Sequence, residues 1–513
     1  MLNVAMEQYG DAARDKRPSK VTSPQVILMT KLCIGFEVHQ PYRLDPAFDR
    51  QDGNNVKSLE SLYFSPKNKE ILERVADKCY IPATGIVLES LDEGFKCAFS
   101  ISGTAVEQLE RWSPDALELF RQVAKHKNAE FLAQTYYHSV ASLFGDLREF
   151  EEQVRQHKKL MKTAFSVEPK VLENTEFIFN DQIARSAKKM GFKAVYTEGV
   201  ERVLGWRSPD YVYSCSGVKL LMRNYKLSDD IAFRFNNWQW DQYPLTAEKF
   251  ATWVAGSPGD YMNVFVDYET FGEHHWNDSG IMDFLKWLPI ECGKKEVEFI
   301  TPSEAAELEP RDELSIEETI SWADSEKDAS AWLGNTIQHT ALNAIQRARA
   351  YAKDKKFWRY LQTSDHFYYM ASKFGSCAEV HNYFSPEACS PYDSFSTYMN
   401  VLSDYEKRAS KKMKKKQAAL VLRTVPPDLA FHFFNTGAYA GFTAYSLDDM
   451  ADLLNYVSGD SVDYHMQRGD FEKWISEVLG DKELAADVGK CKSRIELQET
   501  VDRQRKVLWG RLK

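Results

Sequence analysis

Short apolar runs rich in β-branched and aromatic residues recur from Lys31 to Thr301, near residues 31–38, 95–101, 130–135, 170–174, 193–197, 261–266 and 296–300. Runs of this length, bounded by polar clusters, predict buried strands. Amphipathic stretches separate them. Ser65-Pro66 and Ser113-Pro114 open two of these, running to about Asp77 and His126, and a third extends from Leu147 to Phe165. Serine followed by proline is a helix N-terminus signal, because proline at the first helical position lacks only an N–H that has no helical partner. Repeated strand-then-helix units predict an α/β fold, a seven-stranded (β/α) barrel, with a doubly wound open sheet as the alternative. Tyr211 to Met222 predicts a hairpin-like excursion turning at Cys215-Ser216-Gly217.

After Glu309 the pattern becomes helical. Trp332, Ile337, Ala341 and Ile345 share one helical face in a run from Asp328 to about Lys353, and a second helix is expected from Lys355 through Tyr369. Lys411 to Lys416 form a basic run that reads as an exposed boundary. Beyond it, 418–422, 430–434 and 441–445 predict short strands, Ser446 caps a helix, and Gly480 stops another carrying Phe471, Trp474, Ile475 and Val478. The expected organisation is a flexible tail (1–28), a catalytic barrel (29–305), a helical region completing the cleft (306–407) and a small C-terminal α+β accessory domain (408–513). A cut near Lys411 is expected to leave a folded catalytic unit.

Composition narrows the function. The chain has 513 residues, 43% of them hydrophobic, enough for large cores, and its net charge of −10 argues against a nucleic-acid partner. No run approaches the ~20 apolar residues of a membrane span. The eight cysteines show no C-x-x-C or zinc-ligand spacing. They read as reduced structural thiols in a cytoplasmic protein. The first twenty-odd residues contain no apolar signal-peptide core.

Candidate chemistry sits where strands end. Leu32–Val38 runs into His39, Phe131–Thr135 into His138, Val171–Leu172 into Glu173 and Glu176, and Val264–Val266 into Asp267 and Glu269. Parallel β/α enzymes gather catalytic groups at the carboxyl ends of their strands. Two carboxyls there suffice to cleave an acetal, one as acid and the other as nucleophile or base. Glu176 and Asp267 are the best-placed pair, with Glu173 and Glu269 as competitors. His39 and His138 suit sugar hydroxyls, because imidazole offers one donor and one acceptor. Asp365-His366, flanked by Phe367, Tyr368 and Tyr369, suggests a cleft wall. Two readings from other classes stay open. One is a metal-dependent carbohydrate deacetylase built on Asp267, Glu269, Glu273, His274 and His275; the other is a non-catalytic glucan-binding protein.

Five ordered stretches carry a more specific signal: His39-Gln40-Pro41, Gln134-Thr135-Tyr136-Tyr137-His138-Ser139, Asn174-Thr175-Glu176, Asp267 to His274, and Gln362 to Tyr369. Together they resemble the five characteristic regions of glycoside hydrolase family 57, in its archaeal α-amylase subgroup. Ser330-Ala331-Trp332-Leu333-Gly334-Asn335 is similar to a further stretch of that subgroup. The match covers about residues 31 to 405. The resemblance implies a (β/α)7 barrel followed by a helical region, and a retaining, cofactor-free mechanism on α-1,4-glucans, of α-amylase type or, alternatively, of 4-α-glucanotransferase type. By motif, Glu176 is the expected nucleophile and Asp267 the expected acid/base, with His39, His138, Asp365 and Trp332 shaping the subsites and no metal.

Overall fold

The strand Lys31–Val38 (β1) is buried along nearly its whole length. It reads as unbroken apolar sequence because it has parallel neighbours on both edges and covered faces above and below. On one side it pairs with Cys97–Ile101 (β2), which pairs in turn with Ala129–Phe131 (β3). The computed structural model describes residues 29–50, 58–373 and 390–512. The expected tail, 1–28, lies outside the described residues.

A second sheet is built from Val171–Glu173 (β4), Ala194–Glu198 (β5), Tyr213–Cys215 (β6) and Val218–Arg223 (β7), in the order β4-β5-β7-β6. The strand Tyr261–Asp267 (β8) lies on the other side of β1, with Glu37 opposite Asp267. The two sheets meet where Ala133 bridges Leu172: the Ala133 N–H donates to Val171 O (3.0 Å), and the Glu173 N–H to Ala133 O (2.8 Å). On the opposite side the Asn224 N–H donates to Asn263 O (2.8 Å), and Arg223 Nε–H to Phe265 O (2.7 Å). An α/β architecture with parallel strands is therefore in place.

One apolar cluster lies between the strands and draws on nearly all of them: Cys33, Ala98, Val171, Tyr196, Leu221 and Phe265 are among its members. Its closest fit is at Gly35, where an added Cβ would lie 2.2 Å from the Phe265 ring. Gly35 lets that ring fill the interior. Helices cover the outside. Arg148–Phe165 buries Phe150, Val154, Met161 and Phe165, and Pro114–Lys125 buries Ala116, Leu117, Phe120 and Val123.

Several elements depart from the sequence reading. The run at 296–300 is a strand only at Glu298–Phe299 (β9), which touches just the first residues of β1. The expected hairpin at 211–222 does form, but its second strand, β7, also pairs in parallel with β5. The long helix expected from Asp328 divides into Ser330–Leu333 and Thr336–Ala348. The Asn335 side chain accepts from the Gln338 N–H while Gln338 reaches back to the Asn335 N–H, and this capping box starts a new helix. Likewise the helix from Lys355 ends at Tyr360, and a fresh one spans Ser364–Tyr368. Residues 418–422 lie in the helix Lys416–Leu422, not in a strand. Alanine and leucine favour helix there, and Ala418, Ala419, Val421 and Leu422 line one buried face.

Residues from Ala418 to Leu508 form their own apolar cluster around the hairpin Phe431–Asn435 and Ala438–Ala444. That unit is nevertheless anchored to what precedes it. Arg347 Nη1 lies 3.0 Å from Asp449 Oδ1, Tyr351 O–H donates to Ala419 O at 2.9 Å, and the Thr424 N–H donates to the buried Glu406 carboxylate. Cutting after Lys411 is therefore expected to leave a chain that folds but is weakened, by about 1–3 kcal/mol for each buried group left unpaired. A urea midpoint equal to that of the full chain would contradict this.

Candidate active site

The carboxyl ends of the parallel strands deliver polar side chains to a single cavity of about 690 Å³. Glu37 and His39 come from β1, His138 from the loop after β3, Glu176 from the loop after β4, Asp267 from the end of β8, and Asp365 from the helical region. The break between Tyr360 and Ser364 brings Asp365 in. Thr363 bridges Ser139 there, and the Ser364 N–H donates to His138 O at 2.9 Å.

Glu176 sits on strained backbone. It and Phe177 have φ of 60° and 55°, unusual for residues with a Cβ. The surroundings hold the turn in place. The Phe177 ring is fully buried, stacked on Trp322 at 4.8 Å and edge-on to Phe265 at 4.9 Å. Strain of this kind persists only where packing over-determines it. Both Glu176 oxygens accept hydrogen bonds: Oε2 from Trp322 Nε1–H (2.7 Å), and Oε1 from Ser364 O–H (2.9 Å). His138 Nε2 stands 3.6 Å from Oε1. Burial would raise the Glu176 carboxyl, but the adjoining His138 ring and its charge, with the Trp322 bond, bring it below its ordinary value.

Asp267 behaves oppositely. Burial, and then the negative charge of Glu176, push it up to about 7. Glu269 is pushed up to about 8 by burial and the Asp267 charge; it accepts from Tyr80 O–H and, at 3.5 Å, from Gln40 Nε2–H. The cavity thus sets the Glu176 carboxylate beside two carboxyls, Asp267 and Glu269, that keep a proton near neutrality. Such a set can supply an anion and a general acid at once.

His39 bonds Asp365 Oδ2 through Nε2 at 3.0 Å and Ser102 Oγ through Nδ1 at 2.8 Å, and its ring stacks on His138 at 4.0 Å. Burial and the His138 charge lower His39 to about 4. Burial works against the Asp365 carboxylate, but the adjoining His39 and the charges of His138 and Arg43 hold it well below the usual range.

Trp332 departs from expectation. It is fully buried, packs edge-on to Tyr368 at 6.5 Å and does not line the cavity. Its large apolar ring went into the core of the helical region. Trp322 occupies the place expected for it, on a loop whose sequence has no periodicity to reveal it. Arg223 was also missed. Lining the cavity from the end of β7, it pairs with Glu198 and Asp229 (2.8 Å each) and lies 5.5 Å from the Trp322 ring. The competitor Glu173 is buried, accepting from Ser100 O–H at 3.0 Å. The acidic and histidine run after Asp267 does not converge. Glu273 pairs with Arg74, and His275 Nε2 lies 3.1 Å and 3.0 Å from the carbonyls of Ile231 and Ala232. Among the described residues no group of three or more His, Cys, Asp or Glu is placed to hold a metal ion.

Residues 33–317 match the family model described as glycosyl hydrolase family 57. A protein of Methanocaldococcus jannaschii, which carries the provisional name alpha-amylase, is 46% identical over 395 residues, covering 73% of this chain and 84% of that one. The solved family 57-type branching enzyme of Pyrococcus horikoshii superposes with a TM-score of 0.56 at 13% identity, over 75% of this chain and 90% of that one. The branching enzyme of Thermococcus kodakaraensis gives 0.53 at 12%, over 77% and 91%. At these identities the two structures speak for the fold alone.

The raised Asp267 carries a stability consequence. Folded, it keeps its proton up to about pH 7, whereas the ordinary carboxyl loses it near 3.8. Stability therefore falls as pH rises across that window, and the deficit is complete above it. Asp267→Asn, which never charges, is expected to be more stable than the parent at about pH 8, on the order of 2–4 kcal/mol, and to match it near pH 4. Denaturant midpoints offset equally at both pH values would contradict the raised carboxyl.

Proposed function

The chain belongs to glycosyl hydrolase family 57, and from that premise we propose that it is a retaining α-amylase-type enzyme hydrolysing α-1,4-glucans, with Glu176 as nucleophile and Asp267 as acid/base. The observation that carries this reading is the opposite displacement of two carboxyls in one cavity: Glu176 is held ionised while Asp267 keeps a proton to about pH 7. Acid-assisted glycoside cleavage needs that division, and the resemblance of the five motifs gives it the retaining form.

The chemistry follows from the two protonation states. The Glu176 carboxylate attacks the anomeric carbon as the glycosidic C–O bond breaks, and Asp267 gives its proton to the departing sugar oxygen. This leaves a glycosyl ester on Glu176 and a carboxylate on Asp267. Asp267 then takes a proton from water as that water attacks the same carbon; the ester C–O bond breaks, and both side chains return to their starting states. Two inversions restore the α configuration. The Trp322 and Ser364 bonds hold Glu176 in line for attack and stabilise it again as a leaving group. His39, His138 and Asp365 shape the subsite around the bound sugar, and the Asp365 carboxylate can accept from a sugar hydroxyl.

We read β1, β2, β3, β4, β5, β7 and β8 as a distorted (β/α)7 barrel within residues 29–305. The bridge at Ala133 and the bonds linking β7 to β8 support its closure. The helical region 306–407 supplies Trp322, Ser364 and Asp365 to the cleft, and 408–513 is an accessory unit. A cytoplasmic location fits the free thiols at Cys33, Cys79, Cys97, Cys215, Cys292 and Cys491.

Azide rescue separates the two roles. Glu176→Ala is expected to abolish turnover, and azide filling the vacated space should give the β-glycosyl azide by a single inversion. Asp267→Ala should lose about 10²–10⁴-fold on natural glucan while still forming the ester from a substrate with a good leaving group, so that azide then gives the α-azide. The reverse stereochemistry would mean that the roles are exchanged. With maltooligosaccharides the parent enzyme should release new reducing ends in step with chain shortening. Redistribution of chain lengths without new reducing ends would identify a 4-α-glucanotransferase instead.

A further inference from the structure

Behind Glu176 lies a chain of buried polar groups that the proposed chemistry does not use. Gln134 Nε2 donates to Glu37 Oε1 at 2.8 Å and to Ser100 Oγ at 2.7 Å. Ser100 spends its own proton on Glu173 Oε2, at 3.0 Å. The hydroxyl accepts from Gln134, and this orientation of the amide gives both Nε2 protons an acceptor, Glu37 Oε1 and Ser100 Oγ. Glu37 Oε2 has no hydrogen-bond partner, and burial together with the Glu173 charge holds the Glu37 carboxyl well above its ordinary value. With the amide so oriented, Gln134 Oε1 faces His138 Nδ1 at 3.0 Å. An oxygen there requires Nδ1 to carry a proton.

The other face of the ring completes the argument. His138 Nε2 points at a Glu176 carboxylate oxygen 3.6 Å away. With Nδ1 already protonated, a bare Nε2 would set a lone pair against an anion, whereas a proton on it makes an imidazolium facing a carboxylate. The stacked His39 does not compete for the charge, since its Nε2–H serves Asp365 and its Nδ1 can accept from Ser102. The charged and titratable groups around His138 are Glu37 from β1, His39 beyond it, Glu173 and Glu176 from β4 and the loop after it, Asp267 from β8 and Asp365 from the helical region. Anionic groups predominate, and they favour the charged ring.

We propose that Gln134 is a positioning residue: its amide, locked between Glu37 and the Ser100–Glu173 pair, commits His138 to the doubly protonated form that keeps Glu176 ionised. The proposal rests on the reading of Glu176 as nucleophile. Removing the acceptor leaves Nδ1 without a partner in a buried site, so the ring gives up its charge and Glu176 loses its nearest cation. In Gln134→Met the acid limb of kcat/KM, which reports ionisation of Glu176, is expected to move up by about 1–3 pH units, as for the loss of an adjacent opposite charge. The loss at low pH should fall on kcat more than on KM.

The test uses the full chain with ¹⁵N-labelled histidine, the His138 signals being assigned with His138→Gln. In the parent protein both His138 nitrogens should be of the protonated type at pH 7, and in Gln134→Met one should become unprotonated. A neutral His138 in the parent would overturn the proposal without any variant needing to fold. An acid limb unmoved in a folded Gln134→Met would also overturn it. The ring readout does not depend on the azide experiment: should the azide products show that Glu176 is not the nucleophile, the acid limb loses its meaning, but the ring's protonation still reports on the Gln134 chain alone.

Discussion

Two carboxyls buried in one cavity resist being charged together at neutral pH, and a cation beside one of them decides which ionises. Here the cation is His138, and it stands beside Glu176. The asymmetry of the site follows from that placement. Glu176 has two donors and an imidazole nearby, so it ionises readily. Asp267 shares the cavity with that anion, and burial and the Glu176 charge hold its proton on. The same electrostatics that would be a defect in a structural core becomes a division of labour when the task is to attack on one face and protonate on the other.

The scaffold sustains this arrangement at some local expense. Left-handed backbone at Glu176, Phe177 and His138 is unfavourable for residues with side chains. It persists because Phe177 is clamped between Trp322 and Phe265, and because Ser364 anchors the His138 turn through its backbone N–H. The helical region is therefore part of the site. It supplies Trp322 and Ser364 to Glu176, and Asp365 to His39. Arg223 ties the end of β7 to β8 while lying against the Trp322 ring, so the strand framework and the support of Glu176 share one side chain.

What the sequence made legible was local. Strand ends carrying His39, His138, Glu176 and Asp267 stood out because apolar runs stop abruptly at polar residues, and the ordered motifs narrowed the family. What stayed hidden depended on partners distant along the chain. β7 looked like half of a hairpin because nothing in Val218–Arg223 reveals that its other edge pairs with β5. Trp332 and Trp322 differ in role because one ring meets the core and the other meets a carboxylate, a difference of loop path rather than of residue type. The helix breaks at Asn335 and after Tyr360 are set by a capping box and by a bridge to Ser139, and a search for apolar period passes over both. Glu37 did leave a trace, as an acid inside an apolar strand, but its bond from Gln134 needed the register of separate strands.

The division of charge is the centre of this account, and titration of the two side chains tests it most directly. Carboxyl ¹³C shifts of selectively labelled protein, assigned with Glu176→Gln and Asp267→Asn, should show Glu176 losing its proton below the ordinary glutamate range and Asp267 holding its own to about pH 7. Titration of both groups near the ordinary carboxyl value, or in the reverse order, would contradict it.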